Sequence, residues 1–412
     1  MNRYPKRAVW LMFLSLLLAT AGCAAGGNTS DVSGHQDAAV MPTAKEPPIT
    51  PTSDSSSLLT VPVKPPSVST FEQSAPKRTG KVTAVRAADS SVGWAGGDGW
   101  IARTADGGKH WSVTLQHPYV VTQIFALNAN KVWAALDIGD KRGVKLIRST
   151  DGGKHWTDAG AVPSYGFFHF VSDTEAFSGN AMTTDGGKTW KKLPSPAPTS
   201  LIGEIYFHDR LNGWAVTKAT GGFQIRKTTD GGKTWSVVMT RKSEVVPTYA
   251  VIRSAGVKDA WVEVVGGSGM TQTSYSLFHT VDGGKHWQPV LANSGAGSGP
   301  APGFSMDEKK VPRNTGSSPG TLYVVNQKVA FLGGRCQACD LPNTIGKTTD
   351  GGKTWVNLKG EYPGYEQQQI AAVDADHAWW ICTDSQEPSR MYFTSDGGRH
   401  WKLVYTFDKP QQ

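Results

Sequence analysis

Three features of this 412-residue chain predict an all-β fold: a seven-bladed β-propeller of four-stranded antiparallel blades, preceded by a disordered tether. The first is the octapeptide TTDGGKTW, written three times verbatim and seven times once relaxed to Thr/Ser, any residue, Asp-Gly-Gly, Lys/Arg, Thr/His, Trp. The second is a short apolar strand carrying one aromatic ahead of every copy. The third is composition, with 47 glycines against 38% hydrophobic residues, which suits many short strands and turns better than long helices.

From the N-terminus, residues 1–22 read as an export signal. Arg3, Lys6 and Arg7 precede the apolar run AVWLMFLSLLLATAG, which is short for a membrane span. The string LATAGC resembles the lipobox of bacterial lipoproteins, whose cysteine receives a diacylglyceryl thioether and becomes the new N-terminus. Ala21 and Gly22 fit that pattern, while Thr20 stands where Leu is commonest. The resemblance implies a lipid on Cys23 and a place on the outer face of a bacterial cell membrane. An ordinary signal peptide with an incidental cysteine is the alternative.

Residues 23–79 form the expected tether. They are rich in Ser, Thr, Pro and Ala, with eight of the 24 prolines, and bury too little apolar surface to offset the entropy of ordering. The net charge of +8 falls to +5 without the three basic residues of the signal, and no basic run is interleaved with aromatics. Nucleic acid is therefore not an expected partner.

The folded region is expected over residues 80–408. Its boxes pair Asp106 with Trp111, Asp151 with Trp156, Asp185 with Trp190, Asp230 with Trp235, Asp282 with Trp287, Asp350 with Trp355, and Asp396 with Trp401. Successive aspartates lie 34 to 68 residues apart, about the length of a four-stranded unit with its loops. Within a box, Asp accepts hydrogen bonds from its own turn, the glycines supply positive φ, and Trp opens the next strand with a large apolar body. The preceding strands carry Trp94, Trp133, Phe177, Trp214, Trp261, Phe331 and Trp379, and another apolar strand lies about eight residues before each. Seven equivalent turns around a ring cannot converge on one ligand. The box residues are thus structural, and neither a metal at His110, His155, His286 and His400 nor any cofactor is expected.

The octapeptide resembles the Asp-box, or bacterial neuraminidase repeat, and the stretch GWAGGDGWIARTADGGKHW is similar to the propellers of the photosystem II assembly and stability factor family. The resemblance covers the whole folded region. It implies a propeller, and a role in assembling or binding a membrane protein or complex. Asp-boxes occur in sialidases and xyloglucanases as well, so they say little of function.

Candidate sites lie where the repeats differ. Counting back from the blade aromatics places Arg86, Phe125, His169, Tyr206, Arg253, Tyr323 and Ala371 at equivalent positions on the channel-lining strands. Arg86 and Arg253 there suit an anionic ligand; the more ordinary reading is that they point between blades or pair with local carboxylates. The long link ANSGAGSGPAPGFSMDEKKVPRNTGSSPG has a composition that favours disorder and carries Lys309, Lys310 and Arg313. The loop GGRCQACDLPN holds Arg335, with Cys336 and Cys339 at CxxC spacing. One such pair is no zinc site, and in an exported protein a local disulfide is expected, with Cys382 an alternative partner for either. A glycan-binding face predicts exposed aromatics, for which Tyr362, Tyr365 and Trp380 are the candidates.

Two hydrolase signatures are missing: there is no Arg-Ile-Pro stretch and no His-Glu-x-x-His. Glu204, Asp259 and Glu263 are acids that could meet in space, though nothing in the sequence singles them out. No catalytic residue is therefore assigned. The sequence reads as a lipid-anchored, monomeric, non-enzymatic scaffold that binds another protein. The alternative is a surface glycan-binding protein or a sialidase-like or xyloglucanase-like glycoside hydrolase.

Overall fold

The computed structural model describes residues 78–139, 144–163, 166–336, 341–364 and 367–410. The expected export signal, Cys23 and most of the expected tether lie outside the described residues. Among the described residues, twenty-six strands follow in chain order. The first sheet contains β1 (Val82–Ala87), β2 (Gly93–Thr104), β3 (Ser112–Ala126), β4 (Val132–Asp137), β5 (Val144–Ser149) and β6 (Thr157–Val162). The second contains β7 (Phe168–Phe170), β8 (Ala176–Ser178), β9 (Ala181–Thr183) and β10 (Lys191–Lys192), and the third β11 (Tyr206–Phe207), β12 (Gly213–Ala219), β13 (Gly222–Thr228) and β14 (Ser236–Lys242). The fourth contains β15 (Tyr249–Arg253), β16 (Ala260–Ser268), β17 (Thr273–Thr280) and β18 (Gln288–Asn293). The fifth contains β19 (Ser318–Val324), β20 (Ala330–Arg335), β21 (Thr344–Thr348) and β22 (Val356–Asn357), and the last β23 (Gln369–Ala372), β24 (Ala378–Cys382), β25 (Arg390–Thr394) and β26 (Lys402–Thr406).

Within each sheet the strands pair antiparallel with their sequence neighbours, the arrangement of a β-propeller. The expected count of seven blades is corrected to six, because hydrogen bonding gives six sheets, one of them six-stranded. The cause is β3. Its 15 residues run unbroken, pairing with β2 from Ser112 to Val120 and with β4 from Val120 to Ala126. What reads in the sequence as the last strand of one unit and the first strand of the next is a single strand, so two units share one ladder.

All seven Asp-Gly-Gly turns have one geometry. In the first, the Thr104 hydroxyl donates to Asp106 Oδ1 (2.9 Å), Gly108 N–H donates to Thr104 Oγ1 (3.0 Å), and His110 N–H donates to Asp106 Oδ1 (3.0 Å). Gly107 and Gly108 take φ of 76° and 89°, which a side chain would strain. His110 Nδ1 meets Asp106 Oδ2 at 2.6 Å, and in the Thr-type turns Thr189 Oγ1 donates to Asp185 Oδ2 at the same distance. The aspartate is consumed by its own turn, and these hydrogen bonds hold its carboxyl below the usual range, to about 2 at Asp106.

The tryptophan after each turn packs beside the central-strand aromatic of the preceding repeat. Trp235 meets Phe207 and the cluster around Phe177, and Trp287 stands edge-on to Trp214 at 5.9 Å. Trp156 joins Trp94, Trp190 joins Trp133, Trp355 joins Trp261, and Trp401 joins Phe331. Trp111 completes the ring by meeting Trp379, 5.9 Å away in the last sheet. The core is this pinwheel of buried central-strand aromatics, each covered by a largely half-buried turn tryptophan of the next repeat.

A second layer of contacts covers these central aromatics from within their own repeats. Arg103 lies over Trp94, Lys227 over Trp214 and Lys347 over Phe331, at 4.9 to 6.0 Å from the ring centres. In the fourth sheet this position is His279, stacked on Trp261 at 3.6 Å, with Nε2 2.9 Å from Asp259 Oδ1 and Nδ1 donating to the Gly351 carbonyl (2.8 Å) of the next turn.

The long link after β18 departs from its expected disorder. Ala301 and Phe304 are buried, Phe304 stacks on Phe278 at 5.6 Å, and Arg241 lies over both rings while donating to the Gly303 carbonyl (3.1 Å). Asn293 and Asn314 bracket the segment with reciprocal hydrogen bonds of 2.8 and 2.9 Å. Two apolar anchors in a glycine-rich stretch outweigh its composition.

Candidate functional site

The first strands of the repeats converge on a central channel enclosing a cavity of about 540 Å³. Its wall is made by β1, the second half of β3, β11, β15, β19 and the segment leading into β23. The registry inferred from the repeats is the one observed. Arg86 pairs with Trp94, Phe125 with Trp133, His169 with Phe177 and Tyr206 with Trp214, while Arg253 pairs with Trp261, Tyr323 with Phe331 and Ala371 with Trp379.

Within that ring Arg86, Tyr206, Arg253 and Tyr323 line the cavity, whereas Phe125, His169 and Ala371 are buried behind it. Arg86 lies over Phe125 at 4.6 Å and near Tyr323 at 5.9 Å. Arg253 lies over Phe167 at 3.8 Å and donates to its neighbour's carbonyl, Ile252 O (2.8 Å). Neither guanidinium has a carboxylate within ion-pair distance among the described residues. Both are held by ring faces, which leave charge and donors directed at the channel.

The wall also contains acids and phenols. Glu204 accepts the Phe167 N–H at 3.1 Å. Glu263, 2% exposed, stands between valines in the apolar strand AWVEVV, and burial pushes its carboxyl up to about 8 although Arg253 pulls the other way. Tyr206 donates to the Ser254 carbonyl (3.3 Å), and burial raises its phenol to about 12. Tyr249, 45% exposed, stands on the same wall. His169, stacked on Tyr206 at 5.0 Å, is lowered by burial to about 3 and stands as a neutral ring at neutral pH.

The candidate residues divide sharply. Arg86, Arg253 and Arg335 share the channel, and Arg335 also donates to the Pro319 carbonyl (3.3 Å). Lys309, Lys310 and Arg313 are exposed on the ordered link and do not line it; Arg313 donates to the Ser294 carbonyl. The expected exposed aromatics are corrected. Trp380 is fully buried and donates to Gln368 Oε1 (2.9 Å), because β24 is a central strand covered on both faces. Tyr362 is stacked on Tyr392 at 3.6 Å with its edge toward Trp380, and Tyr365 lies outside the described residues. Cys336 is in a disulfide and Cys382 is free and buried, which removes Cys382 as its partner; Cys339 lies outside the described residues.

Sequence reasoning left Glu263 and Glu204 undistinguished and passed over Tyr249. The one legible signal was a lone acid inside an apolar strand. Asp259, grouped with those acids, is instead buried beside His279 and away from the channel wall.

Fold and site together define a β-propeller with a basic, aromatic-lined central channel. No family model matches the sequence, and no curated protein matches it. Among solved structures, the chain is similar to a GH74 xyloglucanase from Xanthomonas campestris at 14% identity and a TM-score of 0.51, over 79% of this chain and 54% of that one. This chain thus spans about half the length of that enzyme. It is also similar to YCF48 from Cyanidioschyzon merolae (15% identity, TM-score 0.47, 79% of this chain and 96% of that one) and to YCF48 bound to D1 peptide (16%, 0.46, 78% and 90%). At these identities the likeness is one of fold.

Proposed function

We propose that the chain is an extracytoplasmic binding scaffold, tethered through a lipid on Cys23, whose channel takes an anionic segment of a partner protein. The observation that carries this reading is the pair Arg86 and Arg253. They occupy register-equivalent places in the channel wall, each braced on an aromatic ring and neither neutralised by a paired carboxylate among the described residues. Glu263, the acid nearest Arg253 in the strand pairing, is held in its neutral form by burial at neutral pH, so the wall keeps its positive character. The lipobox resemblance and the long polar stretch before Thr79 support a protein held off a membrane surface. The Asp-box resemblance of the turns fits a scaffold that repeats for architecture, with function left to residues that vary.

The test is photo-crosslinking in the native host through an amber-encoded crosslinker at Tyr249, with the lipidated full chain. A stoichiometric protein adduct that disappears in the R86E/R253E double variant is the expected result. An adduct unchanged by that double charge reversal would remove the channel from the reading. Recovery of glycan alone would move it to carbohydrate binding.

A further inference from the structure

The position of Glu263 relative to Arg253 deepens this reading and rests on it. In the pairing of β15 with β16, Arg253 stands opposite Trp261 and Val251 opposite Glu263. Arg253 and Glu263 are therefore diagonal neighbours on one face of the sheet, close enough for long side chains to interact. Both line the channel. The other charged or titratable groups around Glu263 are Tyr249 on β15, Glu204 just before β11, Tyr206 on β11, Tyr323 on β19, Arg335 on β20, Arg86 on β1 and Tyr275 on β17. Arg253 is the cation that acts on the Glu263 carboxyl.

We propose that Glu263 gates the channel: its neutral carboxylic acid leaves Arg253 open to a ligand carboxylate, and its ionised form occupies Arg253 and excludes that ligand. The geometry sets up a competition between two carboxylates for one guanidinium. Glu263 is internal and stands on the same face of the sheet as Arg253, so once charged it competes without the entropic cost of association. The proton leaves to solvent as the carboxylate forms, and no other group is consumed.

The buried site moves this exchange into a neutral to mildly alkaline range, since burial raises the carboxyl to about 8. Only the protonated fraction is competent to bind, and apparent affinity falls in proportion to that fraction. Roughly one pH unit above the midpoint, binding is about tenfold weaker.

The experiment is calorimetric titration of the full chain with a capped hexaglutamate peptide, whose own carboxylates stay ionised, between pH 6 and pH 9. The wild type is expected to bind about tenfold more weakly at pH 9 than at pH 6. E263Q, which cannot ionise, is expected to bind equally at both, and R253Q, which keeps Glu263, to bind poorly throughout. Wild-type binding that depends on Arg86 and Arg253 but ignores pH would overturn the gate and leave the channel site standing. A pH dependence that persists in E263Q, with native circular dichroism, would also overturn it. Wild-type binding at no pH would overturn the channel reading itself, and the gate with it.

Discussion

Thr79 and Asp408, 329 residues apart, are joined by a reciprocal clamp. The Thr79 N–H and hydroxyl both donate to Asp408 Oδ2, at 2.9 and 2.8 Å, and the Asp408 N–H returns 2.9 Å to Thr79 Oγ1. Phe407 sits beside it, buried 5.8 Å from Trp100 and 5.6 Å from Trp111. The Val82 N–H donates to Ser389 Oγ, just before β25 of the last sheet (3.1 Å). The ring closes by packing of its first sheet against its last, with this clamp across the seam.

Breaking the seam should cost accordingly. Asp408→Ala removes two accepted hydrogen bonds and should lower stability by about 1–3 kcal/mol, and Phe407→Ala should cost about 3–5 kcal/mol. Urea unfolding monitored by tryptophan fluorescence measures both. An unchanged midpoint in Phe407→Ala would place closure elsewhere.

Asp259 and His279 form a fully buried pair tying the fourth sheet to the turn of the next repeat. Asp259→Ala leaves the imidazole facing an empty site and should destabilise by about 3–5 kcal/mol, since a broken buried pair costs more than the pair contributes. A double-mutant cycle with His279→Leu should show coupling. Additive losses would mean the two act separately.

The seven turn aspartates set an acid limit. Each carboxyl is held below its usual value by hydrogen bonds from its own turn. A carboxyl depressed by folding contributes stability above its unfolded value and loses it as pH falls through the folded one. Unfolding should therefore set in below about pH 4 and steepen toward pH 2. Asn at Asp106 and at Asp185 should flatten the stability profile between those pH values, which thermal melts across the series would reveal.

Glu263 has the opposite sign. Its carboxyl is raised in the folded state to about 8, so the native protein binds the proton more tightly than the unfolded chain. Its effect on stability is neutral below the unfolded value near 4.5 and becomes increasingly unfavourable as pH rises to about 8. E263Q should be more stable than wild type at pH 8, on the order of a few kcal/mol, with the difference closing by pH 4. Equal stabilities at pH 8 would show that Glu263 is solvated in the folded protein.

The regularities of this protein are written in its sequence. Seven copies of one turn, each followed by a tryptophan and preceded by an aromatic strand, specify antiparallel sheets arranged around an axis. Counting along them places Arg86 and Arg253 in the same register, as observed. These are local properties: hydrogen bonds from an aspartate to its own turn, positive φ at glycine, and a constant interval between side chains.

What only tertiary structure decided concerns contacts between repeats, where residues far apart in the chain meet. Nothing local in Ser112–Ala126 says that a turn will be absent there, so the merging of two units into one sheet escaped the count. Trp380 looks like a surface aromatic until the neighbouring sheet covers it, and Phe304 looks like part of a disordered link until Phe278 receives it. The neutral acid beside Arg253 depends on the same cause. Burial is a property of the assembled ring, and it is burial that turns an ordinary glutamate into a group able to gate a channel.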